Sequence, residues 1–132
     1  MGREDRIAEF IGVMLGDGSI GLYNTKAGNK IKKHHVVKVT LDSRNKRYIE
    51  YVSNLMKEVL DVEPRIYFKK NENTADIRTF RRNKFEYVTN NLGLKLSPKW
   101  NTMEIPKDYM KDDLYPFILR GLFDTDGSVT IF

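Results

Sequence analysis

Two aspartates in this chain sit where a pair of carboxylates could hold a divalent cation. Asp17 ends the segment Phe10-Ile11-Gly12-Val13-Met14-Leu15-Gly16-Asp17-Gly18, and Asp126 ends Leu119-Arg120-Gly121-Leu122-Phe123-Asp124-Thr125-Asp126-Gly127, about 109 residues later. Each segment reads as an apolar helix with a glycine in its middle, small residues near its end, and then Asp-Gly-Ser. Gly12 and Gly16 are four residues apart and share a helix face, as do Gly121 and Thr125, with Ala8 extending the first small face. Small residues on one face let two helix backbones approach closely, so the repeat predicts two helices packed about a pseudo-twofold axis. Their ends, and with them Asp17 and Asp126, then come together. Both acids stand at helix C-termini, where the macrodipole disfavours negative charge, and a cation between them relieves that cost. Hard oxygen ligands without His or Cys select Mg²⁺ or a similar ion that keeps some of its waters.

Other chemistries are excluded by composition. The chain has 132 residues and no cysteine, which removes disulfides, thiolate zinc sites and cysteine nucleophiles together. Its two histidines, His34 and His35, are adjacent; on a strand they face opposite ways and cannot share a metal. With 40% apolar and 31% charged residues, the chain reads as one soluble globular domain. No apolar run approaches the roughly 18 residues of a membrane span, and the N-terminus is not a signal peptide, so an intracellular, cytoplasmic protein is expected.

The net charge of +5 is unevenly placed. Five lysines and no acid lie between Gly18 and Leu41, and seven bases against two acids lie between Arg65 and Lys84. Six acids against three bases occupy Glu104 to Asp126. Segregated positive charge favours an anionic partner.

The elements that must position these groups follow from periodicity. A helix is expected over 5–15, stopped by Gly18 in a left-handed conformation. Strands follow over 19–24 and 31–41, joined by a turn through 25–30; His35, Val37, Val39 and Leu41 share one face of the second strand. Asp42 or Ser43 caps a helix over 44–60, whose apolar stripe is Tyr48, Val52, Leu55, Met56 and Val59. A second hairpin spans 65–70 and 75–82. Arg65, Tyr67 and Lys69 share one face of its first strand, and Asp76, Arg78 and Phe80 one face of its second. A short helix over 83–92 ends at Gly93, and a last helix starts near Asp112 and runs to Thr125, with Pro116 in its first turn. Hairpins interspersed with helices indicate an α+β fold, its antiparallel sheet covered by helices on one face. The uncovered face is then basic and polar, a platform for nucleic acid. The DNA-contacting set expected from it is Lys26, Lys30, Lys32, Lys38, Thr40, Arg65, Tyr67, Lys69, Arg78 and Arg82.

The two glycine–aspartate segments resemble the paired motifs of the LAGLIDADG homing endonucleases, which introns and inteins carry. Gly12, Gly16, Asp17 and Gly18 match the first motif, and Gly121, Asp124, Asp126 and Gly127 the second; Leu15 replaces the first Asp of the family name. The resemblance covers essentially the whole chain. It implies an αββαββα repeat over 1–111 and, over 112–132, the motif helix and start of a second, truncated repeat. It implies motif helices between two saddle-shaped sheets seated in the DNA major groove over a long target site. Asp17 and Asp126, with Gly16 and Thr125 beside them, would hold Mg²⁺ or Mn²⁺ at the scissile phosphates, and both strands would be cut to leave short 3′ overhangs. It also implies a lysine late in the repeat that assists the water network: Lys95, or alternatively Lys99. The second saddle would come from a second chain or a homodimer. A maturase acting on RNA, or a DNA-binding module that does not cut, could use the same scaffold; keeping both aspartates favours the nuclease.

Overall fold

The structure, a computed structural model, describes residues 2–94 and 105–126, the last four of them through their backbone alone. The order is α1 (Arg3–Asp17), β1 (Gly18–Ala27), β2 (Lys30–Asp42), α2 (Lys46–Leu60), β3 (Arg65–Phe68), β4 (Thr74–Thr79) and α3 (Arg82–Glu86). A π-helical turn at Tyr87–Asn91, a 3₁₀ turn at Lys107–Tyr109 and α4 (Tyr115–Asp126) complete it. The four strands form one antiparallel sheet in the order β1-β2-β4-β3. The expected α+β class is borne out.

Alternation along the strands decides which face is covered. Val37, Val39 and Leu41 of β2, Ala75 and Ile77 of β4, and Ile20 of β1 are buried with α1 and α2 in one core. The α2 stripe is as expected, with Ile49 joining Val52, Leu55, Met56 and Val59. The first helix differs from an ordinary amphipathic one: every residue from Ile7 to Leu15 is buried. It lies between the sheet on one side and α4 on the other, so no face of this stretch meets water.

Several boundaries differ from expectation for local reasons. Gly18 is extended (φ −83°, ψ 159°) and not left-handed, because β1 begins there without a turn. Glycine is needed for a different reason: a Cβ at Gly18 would lie 2.5 Å from the Met14 Cα. The first hairpin is longer than expected. Its strands run to Ala27 and Lys30, and the turn is only Gly28-Asn29, with Gly28 at φ 64°. The cap of α2 is Asn45, whose side chain accepts from the Tyr48 N–H at 3.3 Å; Asp42 and Ser43 are not the cap. Asp42 instead accepts from the backbone and guanidinium of Arg44, which lowers its carboxyl to about 2. The second hairpin is shorter than expected, and β4 stops at Thr79, so Arg82 opens α3. Gly93, at φ 79°, ends the following turn as expected.

Candidate nucleic-acid interface and motif-helix pair

The face of the sheet turned away from α1 and α2 carries an ordered array of side chains. Register places Ser19, Lys38, Arg78 and Arg65 in one row across all four strands. Three cations directly opposite one another repel, which is destabilising unless an anion lies over them. The neighbouring row is Thr40, Asp76 and Tyr67. Asp76 is only 2% exposed; it accepts from the Thr40 hydroxyl at 2.7 Å and lies 3.9 Å from the Lys69 ammonium. The acid therefore holds two of the expected contact residues in place and offsets part of the cation excess.

On the other side of the cation row is an aromatic group that periodicity does not single out. His34 stacks on Tyr23 at 4.9 Å between centroids, and Phe80 meets His34 edge-on at 6.5 Å. The His34 Nε2 is 2.7 Å from the Thr25 hydroxyl. Arg78 lies against two rings, its guanidinium carbon 4.8 Å from the Tyr67 centroid and 5.3 Å from that of Phe80. His35 points the opposite way, edge-on to Phe85 at 4.9 Å, so the two histidines are separated as expected.

The residues expected to contact DNA are mostly brought together. Lys38, Thr40, Arg65, Tyr67, Lys69 and Arg78 share the open face by register, and Lys30 and Lys32 continue it toward the hairpin tip. Lys26 has the parity of Ile20 and Leu22 and projects from the other side of the same tip. Arg82 is not on the sheet: it pairs with Glu86 one helical turn on, at 3.0 Å. Extending the strand through to 82 misses that the chain turns into α3 after Phe80.

Behind this face, α1 and α4 pack at their glycines. A Cβ at Gly12 would overlap the Ile118 carbonyl and lie 2.9 Å from the Leu122 nitrogen. A Cβ at Gly121 would overlap the Glu9 carbonyl and lie 2.8 Å from the Val13 nitrogen. The pairs correspond one for one across the repeat, as an approximate twofold axis at the crossing requires. Lys111, just before α4, is 3.3 Å from Glu4 in the first turn of α1, so the two helices run in the same direction. Their C-terminal residues, Asp17 and Asp126, thus follow the crossing on the same side, each five residues beyond its glycine. Asp17 is partly buried, and the last turn of α1 holds no basic residue. β1 starts at the next residue and carries Ser19 straight into the cation row. The side chains of Thr125 and Asp126 and all of Lys95 and Lys99 lie outside the described residues, as do Gly127 and the residues after it.

A buried acid beside the crossing is a second feature that sequence reasoning passes over. Glu9 is 1% exposed, accepts from the Tyr51 hydroxyl (2.7 Å to Oε2) and lies 3.6 Å from the Arg120 guanidinium. Burial, and then the Glu9 carboxylate, raise the Tyr51 phenol above its ordinary value. The network links α1, α2 and α4 and fixes their mutual register. Its signal is an acid inside an otherwise apolar helix, which looks like an exposed position until α4 covers it.

Comparison with known proteins fits this architecture. No family model matches the chain. A curated protein, the replication factor C small subunit of Methanocaldococcus jannaschii, is 29% identical over 125 residues, which span 95% of this chain and 6% of that protein. Among solved structures, the homing endonuclease I-DmoI in complex with DNA and Mn superposes with a TM-score of 0.62 at 20% identity over 94% of the chain. Mesophilic variants of I-DmoI give 0.61 at 20% identity over 95%, and the I-LtrWI LAGLIDADG homing endonuclease bound to target DNA gives 0.59 at 16% over 94%. The chain spans 63%, 59% and 58% of those three structures respectively. No helix among the described residues is long and apolar enough to cross a membrane. The fold is that of the LAGLIDADG homing endonucleases, with an open basic sheet face and a glycine-packed helix pair behind it.

Proposed function

We propose that the chain is the first half of a sequence-specific, divalent-metal-dependent DNA endonuclease of the LAGLIDADG family. What supports this is the reciprocal approach of Gly12 and Gly121, which puts helix positions 17 and 126 on one side of the crossing, with β1 leading from Asp17 through Ser19 into the row Lys38, Arg78 and Arg65. A helix pair packed only for stability would not need two acids at its dipole-negative ends.

The donor set fits a hard cation. Asp17, at a helix end whose last turn carries no base, supplies carboxylate oxygen, and Asp126 occupies the corresponding backbone position. These two would hold Mg²⁺ or Mn²⁺, with the Gly16 and Thr125 positions adjacent. Such an ion, when bound, would activate the attacking water and stabilise the leaving 3′ oxygen. The chain's own residues do the rest. Lys30, Lys32 and Arg65 bind phosphates, while the inner strands meet the groove floor and set the register of the duplex. Lys95, or Lys99, would order the attacking water.

Residues 1–111 are the first repeat and 112–132 begin the second. Under the twofold relation, the counterpart of Phe10, fully buried, is Leu119, which is 44% exposed. Its uncovered face supports a second repeat, in the same polypeptide, a second chain or a homodimer, as the remaining half of the DNA grip. A match confined to 6% of a much longer protein supports carriage inside a host polypeptide, as an intein is, and with it an intracellular site of action.

The test is cleavage of a supercoiled plasmid bearing the uninterrupted insertion site, with Mg²⁺ and with EDTA. Metal-dependent linearisation supports the reading. Site-selective binding without cutting by the full protein would make it a DNA-binding module, and no preference for the site would sink both.

A further inference from the structure

We infer that Arg78 reads a guanine on the floor of the DNA groove, and that Tyr67 and Phe80 are the positioning residues that fix its guanidinium. The inference rests on the DNA-binding reading above and adds which base the central strand selects.

Four observations converge. First, β4 is an inner strand, flanked by β2 and β3. When a sheet enters a groove, its inner strands face base edges while edge strands and hairpin tips face the phosphates; Arg65 on β3 and Lys30 and Lys32 near the β1–β2 tip occupy the latter places. Second, the Arg78 guanidinium lies 4.8 Å and 5.3 Å from two ring centroids, so its orientation is set before DNA arrives. A lysine in this place would be a rotating point charge. A planar fork held by rings matches two acceptors side by side, and guanine O6 and N7 are the pair that the major groove offers. Third, the guanidinium has no ionic partner among the described residues: no carboxylate is within ion-pair distance of it, since Asp76 is taken by Thr40 and Lys69, and its buried Nε has no hydrogen-bond partner. Fourth, Lys38 and Arg65 stand opposite Arg78 on either side, so all three cations are destabilised until an electronegative surface covers them.

The experiment is selection of bound duplexes from a random pool by the wild-type protein and by Arg78→Lys, Lys38→Ala and Phe80→Leu, with thermal midpoints recorded to show that each variant folds. The wild type should enrich one invariant guanine. Arg78→Lys should lose that guanine while keeping its charge, and Phe80→Leu should weaken the preference. Lys38→Ala should bind less tightly yet keep it. Replacing the selected guanine by 7-deazaguanine should cost the wild type about tenfold in Kd, and Arg78→Lys less than about twofold. A guanine retained by Arg78→Lys, or wild-type binding indifferent to 7-deazaguanine, overturns this inference and leaves DNA binding standing. A wild type that enriches no sequence overturns the DNA reading and this inference together.

Discussion

Gly12 and Gly121 occupy equivalent places on two helices that cross with their backbones in contact, each glycine facing the carbonyl three residues before the other. The equivalence is the internal repeat of the sequence expressed in space. It makes the chain asymmetric in a specific way: α1 is buried on all sides along Ile7 to Leu15, while the matching surface of α4 carries the exposed Leu119 and Arg120.

Gly121→Ala forces a methyl group into the Glu9 carbonyl, which is backbone and cannot rotate away. The expected loss is about 3 kcal/mol or more of unfolding free energy, read from the denaturant midpoint. Gly28→Ala is the contrast. Nothing lies within 4 Å of its added Cβ, so only the left-handed backbone penalty of about 1 kcal/mol is expected. Equal effects from the two changes would remove the close crossing from the account.

Asp17→Asn and Asp126→Asn should each reduce DNA cleavage below detection while binding stays as tight or tightens, because repulsion with phosphate is removed. EDTA should stop the wild-type reaction. Gel-shift and plasmid assays on the same preparations separate the two effects. Chelator-resistant cutting, or loss of binding in both variants, would contradict the metal-holding role.

Arg65→Ala and Lys32→Ala should weaken DNA binding and flatten its salt dependence. Removing one phosphate-binding cation should change the slope of log K against log salt by roughly 0.9. Titrations from low to moderate salt measure it, and an unchanged slope would place the residue off the interface.

Tyr51→Phe removes a hydroxyl that donates to the buried Glu9 carboxylate, leaving Arg120 as the partner shown beside it. A loss of about 1–3 kcal/mol is expected in chemical denaturation. The Tyr51 phenol is raised above its ordinary value, so its contribution is complete below about pH 10 and disappears as pH climbs through the higher folded value. The wild type should therefore lose stability in alkali, and the variant should lack that component. Identical alkaline profiles would show that the contact adds nothing.

The sequence by itself determined the α+β class, the order of elements and the side of β2 that turns inward, because helix and strand periods are written locally in Val37, Val39 and Leu41 or in Val52, Leu55 and Met56. It also placed Asp17 and Asp126 at equivalent helix ends, since the repeat carries that information directly. Tertiary structure alone decided what those elements cover. Whether Glu9 is a solvated acid or the centre of a buried network depends on α4, more than 100 residues away in sequence. Whether Arg78 joins Lys38 and Arg65 in one row, with Tyr67 and Phe80 setting its guanidinium, depends on strand register. Register and helix crossing are set by packing between distant segments, and periodicity within a segment cannot encode them.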